Sequence, residues 1–135
     1  MKKLFSTNYS DTGFSIAMLI LRLAAGAMIV PHGYQKLKGF SKMSHQFADP
    51  FHLGSTVSLS LTIFAEFFCG MLIVLGLFSR FASIPLIIAM AVALFYAHNG
   101  DFFGKGEMAA LYLSIFLAIL FVGPGRVSVD GLINK

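Results

Sequence analysis

The sequence predicts an all-α integral membrane protein, a four-helix bundle, and three observations carry that prediction. Hydrophobic residues fill 57% of the 135 positions and charged residues only 12%. The mean hydropathy of +0.81 lies far above a soluble mix. The apolar residues also gather into four long runs with polar or glycine-rich breaks between them. A backbone in lipid must satisfy its own hydrogen bonds, so each run is expected to be a helix.

The chain reads as one transmembrane domain, 1–135, with spans at about 14–36, 57–78, 81–98 and 107–122. The first run, from Phe14 to Val30, holds one charge, Arg22, and is expected to continue past Pro31 to the basic end at Lys38. A signal peptide is the alternative for this run, because Met1, Lys2 and Lys3 precede an apolar stretch with Ala24, Ala25 and Gly26. The arginine inside the apolar region argues against it. The second run, from Val57 to Phe78, crosses roughly 30 Å of hydrocarbon at about 1.5 Å per residue and holds one charge, Glu66. Only Ser79 and Arg80 separate it from the third, from Phe81 to Ala97, which demands a tight antiparallel hairpin. The fourth, from Met108 to Val122, is short and draws on Gly106 or Glu107 to reach across. Gly123, Pro124 and Gly125 then stop the helix. The longest connection, from about Gly39 to Thr56, alternates polar residues with Phe40, Phe47 and Phe51 and reads as a segment lying in the membrane interface.

The net charge is +4 and the pI about 9.4, but the basic residues are scattered between apolar runs. They read as interface anchors rather than as a nucleic-acid surface. Four spans put both termini on one face. That face carries Lys2, Lys3, Arg80, Arg126 and Lys135 against Lys36, Lys38, Lys42 and Lys105 on the other, which favours cytoplasmic termini by one charge. Cys69 is the single cysteine, so no disulfide, CxxC or CxxCH is available. His45 and His52 lack metal-ligand spacing, and no metal site is expected.

Charges inside the spans narrow the search. At helical spacing Arg22, Gly26, Ile29, His32, Gly33 and Lys36 share one side of the first helix, and Thr62, Glu66, Cys69, Gly70 and Ile73 form a comparable stripe on the second. Ala89, Ala93 and Ala97 make a small-residue seam on the third, ending at His98, and Glu107, Leu111, Ser114 and Ala118 line up on the fourth. Counted inward from opposite faces, Arg22 and Glu66 both fall near the membrane middle and are expected to pair. His32, Lys36, His98 and Glu107 fall at the long-loop end of their helices and are expected to line one polar pocket, suited to a small redox or lipid-like ligand. The competing reading is structural: Arg22 and Glu66 lock helix register while the others reach separately for interfacial water.

These residues resemble the DoxX family of small bacterial membrane proteins, from Leu21 to Leu132. The resemblance rests on Arg22-Leu23 with Gly26, the segment from His32 through Leu37, Glu66 before Gly70, and Leu75-Gly76-Leu77 before Arg80. It continues through Met90, Ala93, His98, Gly106-Glu107 and Leu111-Tyr112-Leu113 to Gly123-Pro124-Gly125-Arg126 and Asp130-Gly131-Leu132. Pro31 before the histidine segment and Val127-Ser128-Val129 before the aspartate depart from the family pattern. The resemblance implies a four-helix protein of the bacterial inner membrane. It also implies kinship with proteins linked to thiosulfate:quinone oxidoreductase, to quinol oxidase complexes, and to a membrane complex handling thiol and superoxide stress.

Two functions follow as expectations. One is an accessory or quinone-interacting subunit of a membrane oxidoreductase, with a membrane or periplasmic oxidoreductase as partner. In it His32, His98 and Glu107 would hydrogen-bond quinone carbonyls and relay protons. The other is a non-catalytic membrane scaffold or small-solute carrier held by an Arg22–Glu66 lock. Haem held by His32 and His98 is a distant third. Homo-oligomerisation stays open.

Overall fold

Ser10 starts the first long helix by accepting the Gly13 N–H at 2.9 Å, and Asp11 adds a negative charge to the positive end of the helix dipole. This helix, α1 (Asp11–Lys38), runs straight through Pro31 and stops at Gly39. Lys36 and Lys38 lie in its last turn, where positive charge complements the exposed carbonyls. A short turn, α2 (Phe40–Met43), opens the long loop. The second membrane helix, α3 (Ser55–Leu75), the third, α4 (Ser79–Ala97), and the shorter α5 (Glu107–Val122) complete the bundle. A last turn, α6 (Val129–Ile133), lies beyond it. The computed structural model describes residues 2–134, all of them helix, turn or loop with no strand among the described residues. Met1, named in the signal-peptide alternative, and Lys135, counted in the charge comparison, lie outside them.

The hairpin between α3 and α4 turns at Gly76–Phe78, and Ser79 and Arg80 already belong to α4. Gly76 takes the left-handed conformation (φ 72°) that lets the Leu77 N–H reach back to the Leu72 carbonyl at 2.9 Å. The carboxylate of Asp130 accepts from the Phe78 and Ser79 N–H groups at 2.8 and 3.0 Å, capping the start of α4 from the far end of the chain.

Around the bundle, α1 packs on α3, α3 on α4, α4 on α5, and α5 back on α1. The α1–α3 contact is close because it is built on glycine. A Cβ on Gly26 would meet Val74 at 2.5 Å, and one on Gly33 would meet the Phe67 nitrogen at 2.5 Å. One apolar core, including Met18, Ile29, Cys69, Ile73, Leu86, Tyr112, Phe116 and Ile119, joins all four long helices. Large apolar side chains such as Ile20, Phe68, Ile88, Phe95 and Phe121 cover the outside. That surface suits lipid and not water. The chain is a multi-pass membrane protein.

Candidate functional site

The same glycines set the register of α1 against α3 and decide which charges meet. Gly76 lies against the Arg22 guanidinium and Gly33 against the backbone of Glu66 and Phe67. Arg22 and Glu66 are therefore ten residues apart along α3, about 15 Å at 1.5 Å per residue. The expected Arg22–Glu66 pair is replaced by two separate arrangements. Counting inward from opposite faces failed because α1 and α3 are staggered: α1 ends at Lys38, while the start of α3 projects past it.

Arg22, 1% exposed, donates from Nη1 to the carbonyls of Ile73 (3.3 Å) and Val74 (3.2 Å). Its Nη2 donates to the carbonyl of Val127. The first two are carbonyls at the C-terminal end of α3, where intrahelical donors run out. Arg22 is thus a cap for α3 that also ties down the C-terminal segment. Its positive charge sits at the negative end of the helix dipole.

Glu66, 3% exposed, lies in a π-helical stretch, Phe64–Cys69, within α3. Such wide turns are over-represented at functional sites. Its Oε1 accepts from Lys36 Nζ at 2.6 Å. The lysine side chain keeps 23% of its surface exposed and the glutamate side chain 5%.

The Lys36–Glu66 pair stands in the wall of a cavity of about 490 Å³ between α3 and α4. Thr62, Ala65, Pro85, Ala89, Ala93 and His98 are among its other walls, and Phe47, Pro50, Phe51 and Leu53 of the long loop close it toward the loop side. The alanine stripe of α4, Ala89, Ala93 and Ala97, lines the cavity. A second π-helical stretch, Ala93–Ala97, ends α4 just before His98. The loop that covers the cavity is pinned by Asp49, whose carboxylate accepts from the Leu53 and Gly54 N–H groups at 2.9 and 2.8 Å and from the Ser58 hydroxyl at 2.9 Å. Desolvation alone would push this carboxyl up. The hydrogen bonds from Ser58, Gly54 and Leu53, with His52 nearby, outweigh it and hold Asp49 below the usual carboxylate value.

Of the four residues expected to share one pocket, Lys36 and His98 line the cavity, whereas His32 and Glu107 do not. With Gly33 locked against α3, His32 is turned about 100° away, since a helix makes one turn in 3.6 residues. It packs edge-on against Tyr112 of α5, ring centroids 6.4 Å apart. Glu107 is exposed because α5 buries the face of Ala109, Tyr112, Phe116 and Ile119, and Glu107 stands two residues, about 200°, from Ala109. The stripe read from Glu107 through Leu111 and Ser114 is the outward face. His32 and His98 do not share the cavity. Sequence reasoning missed the loop aromatics as cavity walls, although their alternation with polar residues was the available signal.

Comparison with known proteins agrees with this architecture. An uncharacterised protein of Haemophilus influenzae is 31% identical over 129 residues, covering 87% of this chain and 91% of the relative. An uncharacterised membrane protein of Mycobacterium tuberculosis is 28% identical over 135 residues, covering 88% of this chain and 82% of the relative. A second Haemophilus influenzae protein is 24% identical over 131 residues. No solved structure matches the chain. The family model described as DoxX matches residues 17–99, the stretch that holds Arg22, Lys36, Glu66, His98 and the cavity between α3 and α4, and the chain belongs to the DoxX family.

Proposed function

We propose that the cavity takes a lipid-soluble, carbonyl-bearing ligand of the quinone class, and that the chain is an accessory, quinone-interacting subunit of an oxidoreductase system in the bacterial inner membrane. The observation that carries this reading is the make-up of the cavity wall. Leu61, Phe64 and Ile88 line the cavity and are also 45–53% exposed on the bundle exterior, so the space communicates with the lipid side between α3 and α4. The same wall carries the Lys36–Glu66 pair and His98. An apolar space open to the bilayer with a few polar groups on its wall suits a molecule with an apolar tail and a polar ring. The volume is within the range of about 300–1,000 Å³ for small-molecule sites.

Lys36 supplies the chemistry for the head group. An ammonium has three donors, and one is committed to Glu66, so the others are free for a carbonyl oxygen. His98 offers a second donor or acceptor on the same wall. Quinone is the electron carrier in this scheme, and its redox partner is a separate membrane or periplasmic protein.

The test is to purify the protein in mild detergent, extract it, and identify bound small molecules by mass analysis. Titration with a short-tailed ubiquinone, for Lys36→Met beside the unaltered chain, follows. Co-purified quinone and a loss of affinity of at least tenfold in Lys36→Met are expected. A protein that neither carries quinone nor binds the probe overturns the reading. A specific observation favours the competing scaffold function: Arg22, the most buried charge, serves only backbone carbonyls.

The proposed orientation has cytoplasmic termini and an external long loop. Pairing of Lys36 with Glu66 and of Arg126 with Asp11 removes one free cation from each face and leaves the one-charge bias intact. In a Cys69→Ala background, Asp49→Cys should react with an impermeant thiol reagent on intact cells. Labelling of Asn134→Cys in its place would invert the orientation.

A further inference from the structure

Hydrogen-bond acceptors outnumber free donors on the α3 wall of the cavity. Ser58, Thr62 and Glu66 follow one another at steps of four along α3, and all three line the cavity. The Ser58 hydroxyl donates to Asp49 Oδ1 at 2.9 Å, and the Thr62 hydroxyl donates to the Ser58 carbonyl at 2.9 Å. Both protons are committed, so toward a ligand these oxygens offer lone pairs only. The Glu66 carboxylate, paired with Lys36, has no proton to give. Its Oε1 accepts from Lys36 Nζ at 2.6 Å. Its Oε2 has no hydrogen-bond partner among the described residues, although the residue is only 3% exposed. Nor is this oxygen sealed in packing, as Arg22 Nε and the hydroxyls of Ser79 and Tyr112 are. The open space that Glu66 borders is the cavity.

Lys36 Nζ and Glu66 Oε2 therefore present a donor and an acceptor to the same space. A carbonyl oxygen can only accept. It would satisfy Lys36 and leave Oε2 desolvated without a partner, the costly outcome for a charged acceptor. A hydroxyl answers both groups at once: its oxygen accepts from Nζ while its proton goes to Oε2 in a charge-assisted bond. His98 does not tell the two apart, since a neutral imidazole carries one donor and one acceptor.

We propose that the head group held by Lys36 and Glu66 is a hydroxyl, and that within the quinone class the cavity takes the reduced quinol form in preference to the quinone. Lys36 fixes where the head-group oxygen lies, and Glu66 decides which redox form is kept. A site that needs a donor from its ligand discriminates against the analogue lacking one, because its own acceptor is then left unpaired.

This preference rests on the quinone-class reading, and a pair of titrations separates the two. The full chain in nanodiscs is titrated anaerobically with short-tailed ubiquinol and with the matching ubiquinone, empty nanodiscs correcting for partition into lipid. The unaltered chain should bind the quinol about tenfold or more tighter. Glu66→Gln removes the charged acceptor and adds an amide N–H that suits a carbonyl. Quinol affinity should then fall about tenfold or more, while quinone affinity holds or rises. Equal affinity for the two forms, tighter binding of the quinone, or a quinol preference that survives Glu66→Gln overturns the proposal and leaves the cavity reading standing. Binding of neither form overturns both. If Glu66→Gln does not fold, the two redox forms on the unaltered chain decide alone: a quinol preference supports the proposal, and its absence refutes it.

Discussion

A pair of double-mutant cycles tests the register of α1 on α3 more directly than any single substitution. The first cycle combines Lys36→Met with Glu66→Gln, the second Arg22→Gln with Glu66→Gln. Lys36 and Glu66 meet at 2.6 Å, and the lysine side chain keeps 23% exposure, so this pair is not dry. Each single change should cost about 2–3 kcal/mol, at or below the lower end for breaking a buried pair, with a coupling energy of about 1–2 kcal/mol. Arg22→Gln should cost a similar amount, about 3 kcal/mol, because it removes charge-assisted hydrogen bonds to buried carbonyls. Its cost should nevertheless add to that of Glu66→Gln within about 0.5 kcal/mol, the behaviour of sites more than about 10 Å apart. Reversible unfolding in mixed micelles, followed by circular dichroism, reads all four quantities. Coupling above about 1 kcal/mol between Arg22 and Glu66, with additivity between Lys36 and Glu66, would refute the register and restore the pairing read from the sequence.

Two further outcomes follow from the same geometry. Gly33→Ala should destabilise the bundle by about 1–2 kcal/mol, because a Cβ there meets backbone atoms of Phe67 and Glu66 that cannot move aside, and this outweighs the helix-propensity gain of about 1 kcal/mol; thermal unfolding in detergent measures it, and a stability equal to wild type would show that α1 is not so close to α3. Asp49 is held below the usual carboxylate value, so the attachment it gives the loop should be complete above about pH 4 and weaken only as pH falls through the lower folded-state value; hydrogen exchange at the Leu53 and Gly54 amides should show that acid-side loss, and Asp49→Ala should abolish the protection at every pH.

The four apolar runs were legible because hydropathy and helix length are local properties of the chain, and α5 needed little more than its glycine-proline stop. The extension of α1 through Pro31 was also readable, since α1 keeps its basic last turn at Lys36 and Lys38. What the chain did not reveal was stagger. Depth was counted from the ends of each run, but α3 is offset on α1 by the glycine contacts at Gly26, Gly33 and Gly70, and that offset is a property of two helices together. Facing was lost for a related reason on α5. With an average hydrophobic stretch on every side, the polar-looking stripe at Glu107 and Ser114 could be outward or inward, and only Ala109, Tyr112, Phe116 and Ile119 packing on neighbours decides it. Of the residues that line the cavity, Lys36, Glu66 and His98 were singled out in the sequence, but the partner of Glu66 was not.

The two buried charges differ in what can replace their partners, and this difference separates architecture from function. Arg22 is matched by carbonyls of Ile73, Val74 and Val127, backbone atoms that cannot leave without unwinding the end of α3 or releasing the C-terminal segment. Beside it, Asp130 holds the first amides of α4 in the same fixed manner. These contacts tie the end of α3, the start of α4 and the C-terminal segment together at the terminal side of the bundle. Glu66 is matched by the end of a flexible lysine side chain, at the edge of a cavity, in a helical stretch already widened from α geometry. A lysine can swing to another acceptor at the cost of rotamer changes only, and a glutamate can be neutralised by a proton, options that backbone carbonyls do not have. The proposed ligand exchange therefore belongs to the long-loop half of the molecule, where the counterion is a side chain, while the Arg22 half supplies the fixed frame against which it would take place.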